Sequence, residues 1–289
     1  ISAIEHPCVT RPALAMQQRG WQLQTLPTDS HGKADPAVLR DVLNVDTSVV
    51  SVMLVNNETG VIQDLPAIAE QARQGGAYVH TDAVQALGKI KLDFADLNVH
   101  AMTLSSHKIN GPQGAGALIL DKRVDIQPVL YGGGQEKGLR SGTENVAAIV
   151  GFGAACELIK QELVQRTGLV RQLRDRLENG LRAMGAQIFG ADAERIPNTS
   201  FFAFPEIEGE TLVMALDRKG YAVSSGSACS SDSTEPSHVL LAMGIQPDLA
   251  RGAIRVSFGA GNEMPQVEAF LQVLENELQR LKRLTAIAV

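Results

Sequence analysis

Short apolar runs alternate with helix-period segments through the first half of the chain. The runs VVSVMLV (49–55), AYVH (77–80), AMTLSS (101–106) and GALIL (116–120) have strand length, and PAIAEQARQGG (66–76) has helical spacing between the first two. This alternation predicts an α/β unit on a mostly parallel sheet. From Glu144 to about Gly185 the pattern turns helical, with LVRQLRDRLENGLRAMG placing apolar residues three and four apart. Strands are then expected at 198–204, 221–225 and 253–259, helices at 210–220 and 237–244, and a last helix from Met264. Val267, Phe270, Leu271, Leu274, Leu278 and Leu281 share one face of that helix, as a helix covering the core of a smaller α+β unit would require. The expected division is a large domain over 1–165 and a small C-terminal domain over 166–289. Only the serine- and glycine-rich run AVSSGSACSSDSTEPS (222–237) has neither period, and it holds Cys229.

Composition supports two cores: 289 residues with 44% hydrophobic content supply enough apolar surface. The longest apolar stretch, from Val146, is too short and glycine-interrupted to span a bilayer, and no basic-then-apolar export signal opens the chain. A cytoplasmic protein without a membrane partner is the expectation. The chain opens on Ile1 in a strand-like run, so the natural chain is expected to start further upstream. Cys8, Cys156 and Cys229 are scattered without a CxxC pair, which suggests no disulfide framework and no metal site. Cys8 and Cys156 read as small apolar fillers. A net charge of −6 with dispersed Lys and Arg disfavours nucleic acid and points to small molecules or proteins as partners.

In open α/β sheets ligands bind beyond the carboxyl ends of the strands. Three such ends are rich in chemistry: NNETG with Asn57, TDAVQ with Asp82 and Gln85, and SHKINGPQGAG with His107 and Lys108. Lys108 reads either as a surface lysine or as an amine held at the sheet edge for Schiff-base chemistry. Asp82 fits a helix N-cap and also the partner of a pyridine nitrogen. His6 is a histidine in a polar turn before proline, or a flat partner over an aromatic cofactor. Arg255 alternates with the apolar residues of its strand, so it is a solvated strand residue or a carboxylate clamp. YGGGQEKGLRSGTEN (131–145) lacks the dinucleotide fingerprint but offers backbone N–H groups to a phosphate.

Taken in order, HTDAVQ, SSHKINGPQGAG, GGGQEKGLRSGTEN and SSGSACSS with EPSHVL after it resemble the pyridoxal-phosphate-dependent cysteine desulfurases of the NifS/IscS kind, over essentially the whole chain. The resemblance implies the fold-type I transferase architecture and a homodimer. It implies that Lys108 holds pyridoxal phosphate as the internal aldimine, Asp82 pairs with its ring nitrogen, His6 stacks on the ring and Gln85 approaches the phenolic oxygen. Ser105 and His107 would bind the phosphate, with Thr143 reaching the phosphate of the partner subunit. Asn57 and Arg255 would fix the carboxylate of L-cysteine, and Cys229 would take its sulfur as a persulfide, releasing L-alanine. The long serine-rich form of the loop resembles the branch that feeds iron–sulfur cluster assembly through sulfur-accepting scaffold or carrier proteins. A Gly/Ala/Thr-rich phosphate turn of the family would lie upstream of Ile1. The alternatives are a selenocysteine lyase, a class V aminotransferase with no need of Cys229, or a non-catalytic sulfur-relay scaffold.

Overall fold

Residues 1–226 and 235–287 are described by the computed structural model, and Cys229 lies outside them. Helices α1 (Pro7–Gln17) and α2 (Pro36–Val42) precede β1 (Val49–Ser51), α3 (Leu65–Gln74), β2 (Tyr78–Asp82), β3 (Ala101–Ser105) and β4 (Gly116–Leu120). β1, β2 and β3 pair in parallel, with Ser51 opposite His80 and Asp82 opposite Thr103, and β4 closes the edge antiparallel to β3. The mostly parallel mixed sheet expected from the alternation is thus present. α3 turns Leu65, Ile68, Ala69 and Ala72 inward, and they are fully buried beside Val52, Leu54, Val79 and Met102 of the strand region.

The long helix α4 (Val146–Ala183) leads into β5 (Gln187–Ile188), β6 (Thr199–Ala203), α5 (Gly209–Asp217), β7 (Ser224–Ser225), α6 (His238–Ala242), α7 (Pro247–Arg251), β8 (Ile254–Ser257) and α8 (Met264–Ile287). The second sheet has the order β5-β6-β8-β7 and is antiparallel throughout. Its core joins Phe202, Phe204 and Ile254 to the inner faces of α4, α5 and α8. All six residues predicted to share the α8 face are buried there. A third cluster puts Ile4 and Met53 against Phe189, Phe201, Val239 and Leu240, so the two sheets are packed to one another through apolar contact.

Two elements, β1 and α1, differ from the sequence expectations. The apolar run 49–55 is regular strand only over Val49–Ser51; beyond it the N–H groups of Val52 and Leu54 still donate to the β2 carbonyls of His80 and Asp82, while that of Met53, on the opposite side, donates to the Glu5 carboxylate at 2.7 Å. α1 stands where EHP alone suggests a turn; Pro7 sits at its first turn, where the missing N–H costs nothing. α4 runs without a break through Arg166. Its first half packs Ala155 and Ile159 on Ile109, and its second half packs Leu173, Leu177 and Leu181 on the second core.

Leu274 is fully buried on the α8 face. Leu274→Ala should cost about 2–5 kcal/mol, the range for a buried leucine that leaves a cavity. Val45→Ala, at a site 97% exposed, should stay within about 0.5 kcal/mol. Urea unfolding midpoints of the two variants against the unmodified chain check this.

Candidate active site

The carboxyl ends of β1, β2 and β3 face one edge because the three strands are parallel. After β1 the extended chain continues, with the N–H of Leu54 donating to the carbonyl of Asp82 at 2.9 Å, and turns at Asn56–Gly60. The Asn56 side chain holds that turn: its Oδ1 accepts from the N–H groups of Glu58 and Thr59, and its Nδ2 donates to the carbonyl of Ile4. Asn57 lies within that turn.

Asp82 is buried at the last position of β2. Its two oxygens do different things. Oδ1 accepts from the N–H of Val84 at 2.9 Å and holds the next turn, in line with the capping reading, although that turn does not continue into a regular helix. Oδ2 accepts from the thiol of Cys8, 3.4 Å away, at the start of α1. Cys8 is therefore an exposed partner of Asp82 and not an apolar filler. Burial, then the carboxylate of Asp82, pushes its thiol up to about 12, so it is inert as a nucleophile at neutral pH. Cys156 packs beside Ile109 and Ile159 as a filler should.

His6 is the N-cap of α1, its Nδ1 accepting from the N–H of Cys8 at 3.2 Å. The polar-turn reading thus describes its backbone, and Nε2 is the nitrogen left for chemistry. Burial holds the imidazole below its ordinary pKa; Asp82 opposes this, while Lys108 and His238 reinforce it. His6 is consequently neutral at pH 7, within the electrostatic reach of Asp82 and Lys108.

Lys108 rides on a single 3-10 turn, Ser106–Ile109, directly after β3. Ile109 is buried against α4 and anchors the turn. A side chain at Gly111 would come within 2.3 Å of Ser106 Oγ, so glycine is required for the chain to fold back there. Lys108 itself is exposed, and beside it Ser105 Oγ and His107 Nδ1 are hydrogen-bonded at 2.8 Å. Gln85 accepts from the ammonium of Lys89 one turn further along the segment after Asp82. Thr143 stands apart, exposed in the loop before α4.

The second sheet adds the remaining cation. Arg255, on β8, donates from Nη1 to the carbonyl of Asn57 at 2.8 Å and so ties the small sheet to the turn after β1. Below it Glu58 is buried and bonded to the hydroxyl of Ser237. Burial pushes Glu58 up to about 7, against the pull of Ser237 and Arg255. A cavity of about 130 Å³ opens among Lys89, Lys108, Arg166, Asn198 and Phe258. A larger groove, about 780 Å³, lies along α1 and β1. Its lining includes none of the described candidate residues, and it is largely apolar.

The pattern of the aminotransferase class-V family matches residues 1–270. The chain belongs to that family. Among curated relatives of this class-V chain, the cysteine desulfurase IscS 1 of Archaeoglobus fulgidus is 40% identical over 99% of the chain and 75% of the relative. A cysteine desulfurase of Cereibacter sphaeroides is 42% identical over 98% of the chain and 73% of the relative. Of solved structures, a NifS-like protein superposes with a TM-score of 0.90 at 36% identity, covering 96% of this chain and 74% of that one.

The residues present fit pyridoxal phosphate, the cofactor of class-V enzymes. A ligand at this edge would find a buried carboxylate, a lysine amine, a neutral imidazole and a hydroxyl–imidazole pair, the donor set that a pyridinium, an aldehyde and a phosphate require. Four polar residues of this class-V site escape sequence reasoning: Glu5, Glu58, Lys89 and Ser237. Glu58 stands in view within NNETG, two residues after a pair of asparagines begins. Lys89 and Ser237 carry no local signal, because only the fold turns them inward.

The raised pKa of Glu58 fixes the sign of a pH effect. Between its ordinary value of 4.5 and about 7 the folded chain keeps a proton that the unfolded chain has lost, so stability falls as pH rises through that window. Glu58→Gln should flatten that slope by at most about 1.4 kcal/mol per pH unit. Urea midpoints of both chains at pH 4.5, 6 and 8 test it; a slope unchanged by the substitution would remove Glu58 as its source.

Proposed function

We propose that the chain is a pyridoxal-phosphate-dependent cysteine desulfurase that moves sulfur from L-cysteine to Cys229 and releases L-alanine. The observation that carries the reading is the gathering of Asp82, His6 and Lys108 at one sheet edge with Arg255 across the cleft, in a chain similar over nearly its whole length to proteins named cysteine desulfurases. When bound, the cofactor supplies the electron sink that stabilises negative charge developing on the substrate carbons.

The chain's own residues do the rest. The carboxylate of Asp82 would pair with the ring nitrogen, and Lys108 would offer the amine that holds the aldehyde. Ser105 and His107 bind the phosphate, and Thr143 reaches that of a partner subunit. The guanidinium of Arg255 and the amide of Asn57 take the substrate carboxylate in forked geometry. His6, neutral at pH 7, moves protons at Nε2. The thiolate of Cys229 attacks the sulfur of the substrate: an S–S bond forms, the C–S bond breaks, and its electron pair stays with the substrate carbon until protonation completes alanine.

The segment bearing Cys229 leaves the described chain at Gly226, whose N–H donates to Ala253, and rejoins it before Ser237, bonded to Glu58. Both anchors flank Arg255, which is what delivery of a thiol to this cleft requires. The division of domains at 165/166 accords with the change of partner along α4. A homodimer is supported by the exposure of Val129, Tyr131, Val146 and Val150 around the Thr143 loop. No helix among the described residues is long and apolar enough to cross a membrane. We place the protein in the cytoplasm, passing persulfide sulfur to acceptor proteins of iron–sulfur cluster assembly.

Incubation with pyridoxal phosphate, L-cysteine and a thiol reductant should yield equal amounts of sulfide and alanine. Lys108→Ala should lose the visible absorbance of the bound cofactor and roughly 10²–10⁴ or more in rate. Cys229→Ala should keep that absorbance and lose the persulfide. Sulfide release undiminished in Cys229→Ala would overturn the role given to the thiol.

A further inference from the structure

Lys89 is built unlike a surface lysine. The residue is only partly exposed and its ammonium is desolvated, where a surface lysine would keep its charged head in water. Among the described residues it forms no ion pair, and the charged groups that face it are cations: Lys108 from the turn after β3 and Arg255 from β8, with Arg166 of α4 lining the same cavity. Burial first, then those two neighbours, pushes its ammonium down to about 7. A cation is not kept in such a place for stability.

Its side-chain partner is the carboxamide of Gln85, through Oε1. The chemistry of that contact is directional. While it is protonated, the Lys89 ammonium has only donors, so it is satisfied by the amide oxygen and not by the amide nitrogen. The Gln85 oxygen is thereby committed to Lys89, and its NH2 group is turned away as a donor. Without such a partner the two ends of a carboxamide are nearly isosteric, and it can present either one. The backbone supports the arrangement: Gly88 takes φ of +74°, and a side chain there would strike Ile159 at 2.7 Å, so the turn that carries Lys89 is clamped between Ile109 and α4.

We propose that Lys89 is a positioning residue that locks the Gln85 carboxamide in its donor orientation toward the phenolic oxygen of pyridoxal phosphate. The proposal rests on the cofactor reading above and on the desulfurase resemblance, which implies that Gln85 approaches that oxygen. A donor there stabilises the phenolate and makes the conjugated nitrogen of the cofactor easier to deprotonate, and so does a nearby positive charge.

The test is the pH titration of the visible absorbance of pyridoxal phosphate bound to the full chain, with cofactor affinity measured alongside. Lys89→Met should raise the apparent pKa of the visible transition by about one pH unit, and Lys89→Arg, again donor-only, should restore most of it. Gln85→Ala should shift the titration the same way, and in that background most of the shift from Lys89→Met should disappear. A merely structural lysine would not be coupled to Gln85 in this manner. Gln85→Glu, which keeps a partner for Lys89 but removes the donor, gives an independent reading and should raise the pKa at least as far as Gln85→Ala. A titration unmoved by Lys89→Met, fully additive shifts in the double variant, or a Gln85→Glu titration like that of the unmodified chain would each overturn the proposal. An unmodified chain with no visible band would overturn the cofactor reading and the proposal with it, whereas a band whose titration ignores Lys89 overturns the proposal alone.

Discussion

The N–H of Leu54 donates to the carbonyl of Asp82, and the ladder it extends holds three parallel strands in a register that ends at one edge. Parallel pairing has a consequence that antiparallel pairing lacks: every strand delivers its carboxyl end to the same side. Asn57, Asp82 and Lys108 are separated by 25 residues or more along the chain, yet each directly succeeds or ends one of these apolar runs. A one-residue slip of β2 would reverse the faces of His80, Thr81 and Asp82 and remove the carboxylate from the site. Side-chain bonds that cross the strands resist such a slip. His80 bonds to Ser51 on one neighbour at 2.8 Å, and Thr81 Oγ1 donates to the carbonyl of Val52.

Around this edge the fold buries titratable groups that would be more stable in water. Burial pushes Glu5 and Glu58 up to about 7 and Lys89 down to about 7. Each is kept by a specific task within its contacts. Glu5 replaces the strand partner of Met53 and bonds to Ser2; Glu58 fastens Ser237, just beyond the Cys229 segment; Lys89 orients an amide. Desolvation of this kind destabilises the folded chain, and the surrounding apolar clusters offset it, with Met53 and Ile4 fully buried directly beside Glu5. Site and core are therefore one construction.

Much of this is legible in the sequence, for definite reasons. Strand ends can be read because a buried parallel strand is an uninterrupted apolar run, and the residues just past its carboxyl end must face the ligand edge. The α8 face can be read because its six apolar residues keep the helical period without a break. α1 cannot: Pro7 and Pro12 fall within it and mask a pattern that is only weakly amphipathic, and none of its residues is buried. What completes the outer side of the run 49–55 is hidden because a side chain, Glu5, and not a strand takes the N–H of Met53. Lys89 in GKIKLD differs in no local respect from Lys91, which pairs with Asp96 at the surface. Only the long-range packing of Gly88 against α4 separates the two.

The same helix explains how a site made in the first sheet can answer to the second. α4 is 38 residues long, and its buried face changes partner midway, from Ile109 under the Lys108 turn to Leu173, Leu177 and Leu181 in the small core. Arg174 of that helix also donates to the carbonyl of Ile196, and Arg195 forms a buried pair with Glu178. The isolated bridge of Val61 with Arg195 then leads back to the turn that bears Asn57 and Glu58. Arg255 completes the circuit from β8 to the carbonyl of Asn57. Because a buried pair is costly to break on one side only, Arg195→Met would leave Glu178 with only the longer contact to Arg182. The disturbance would fall on the turn after β1 before it reached Lys108. Docking of the small sheet thus sets where the Arg255 guanidinium stands relative to the turn after β1.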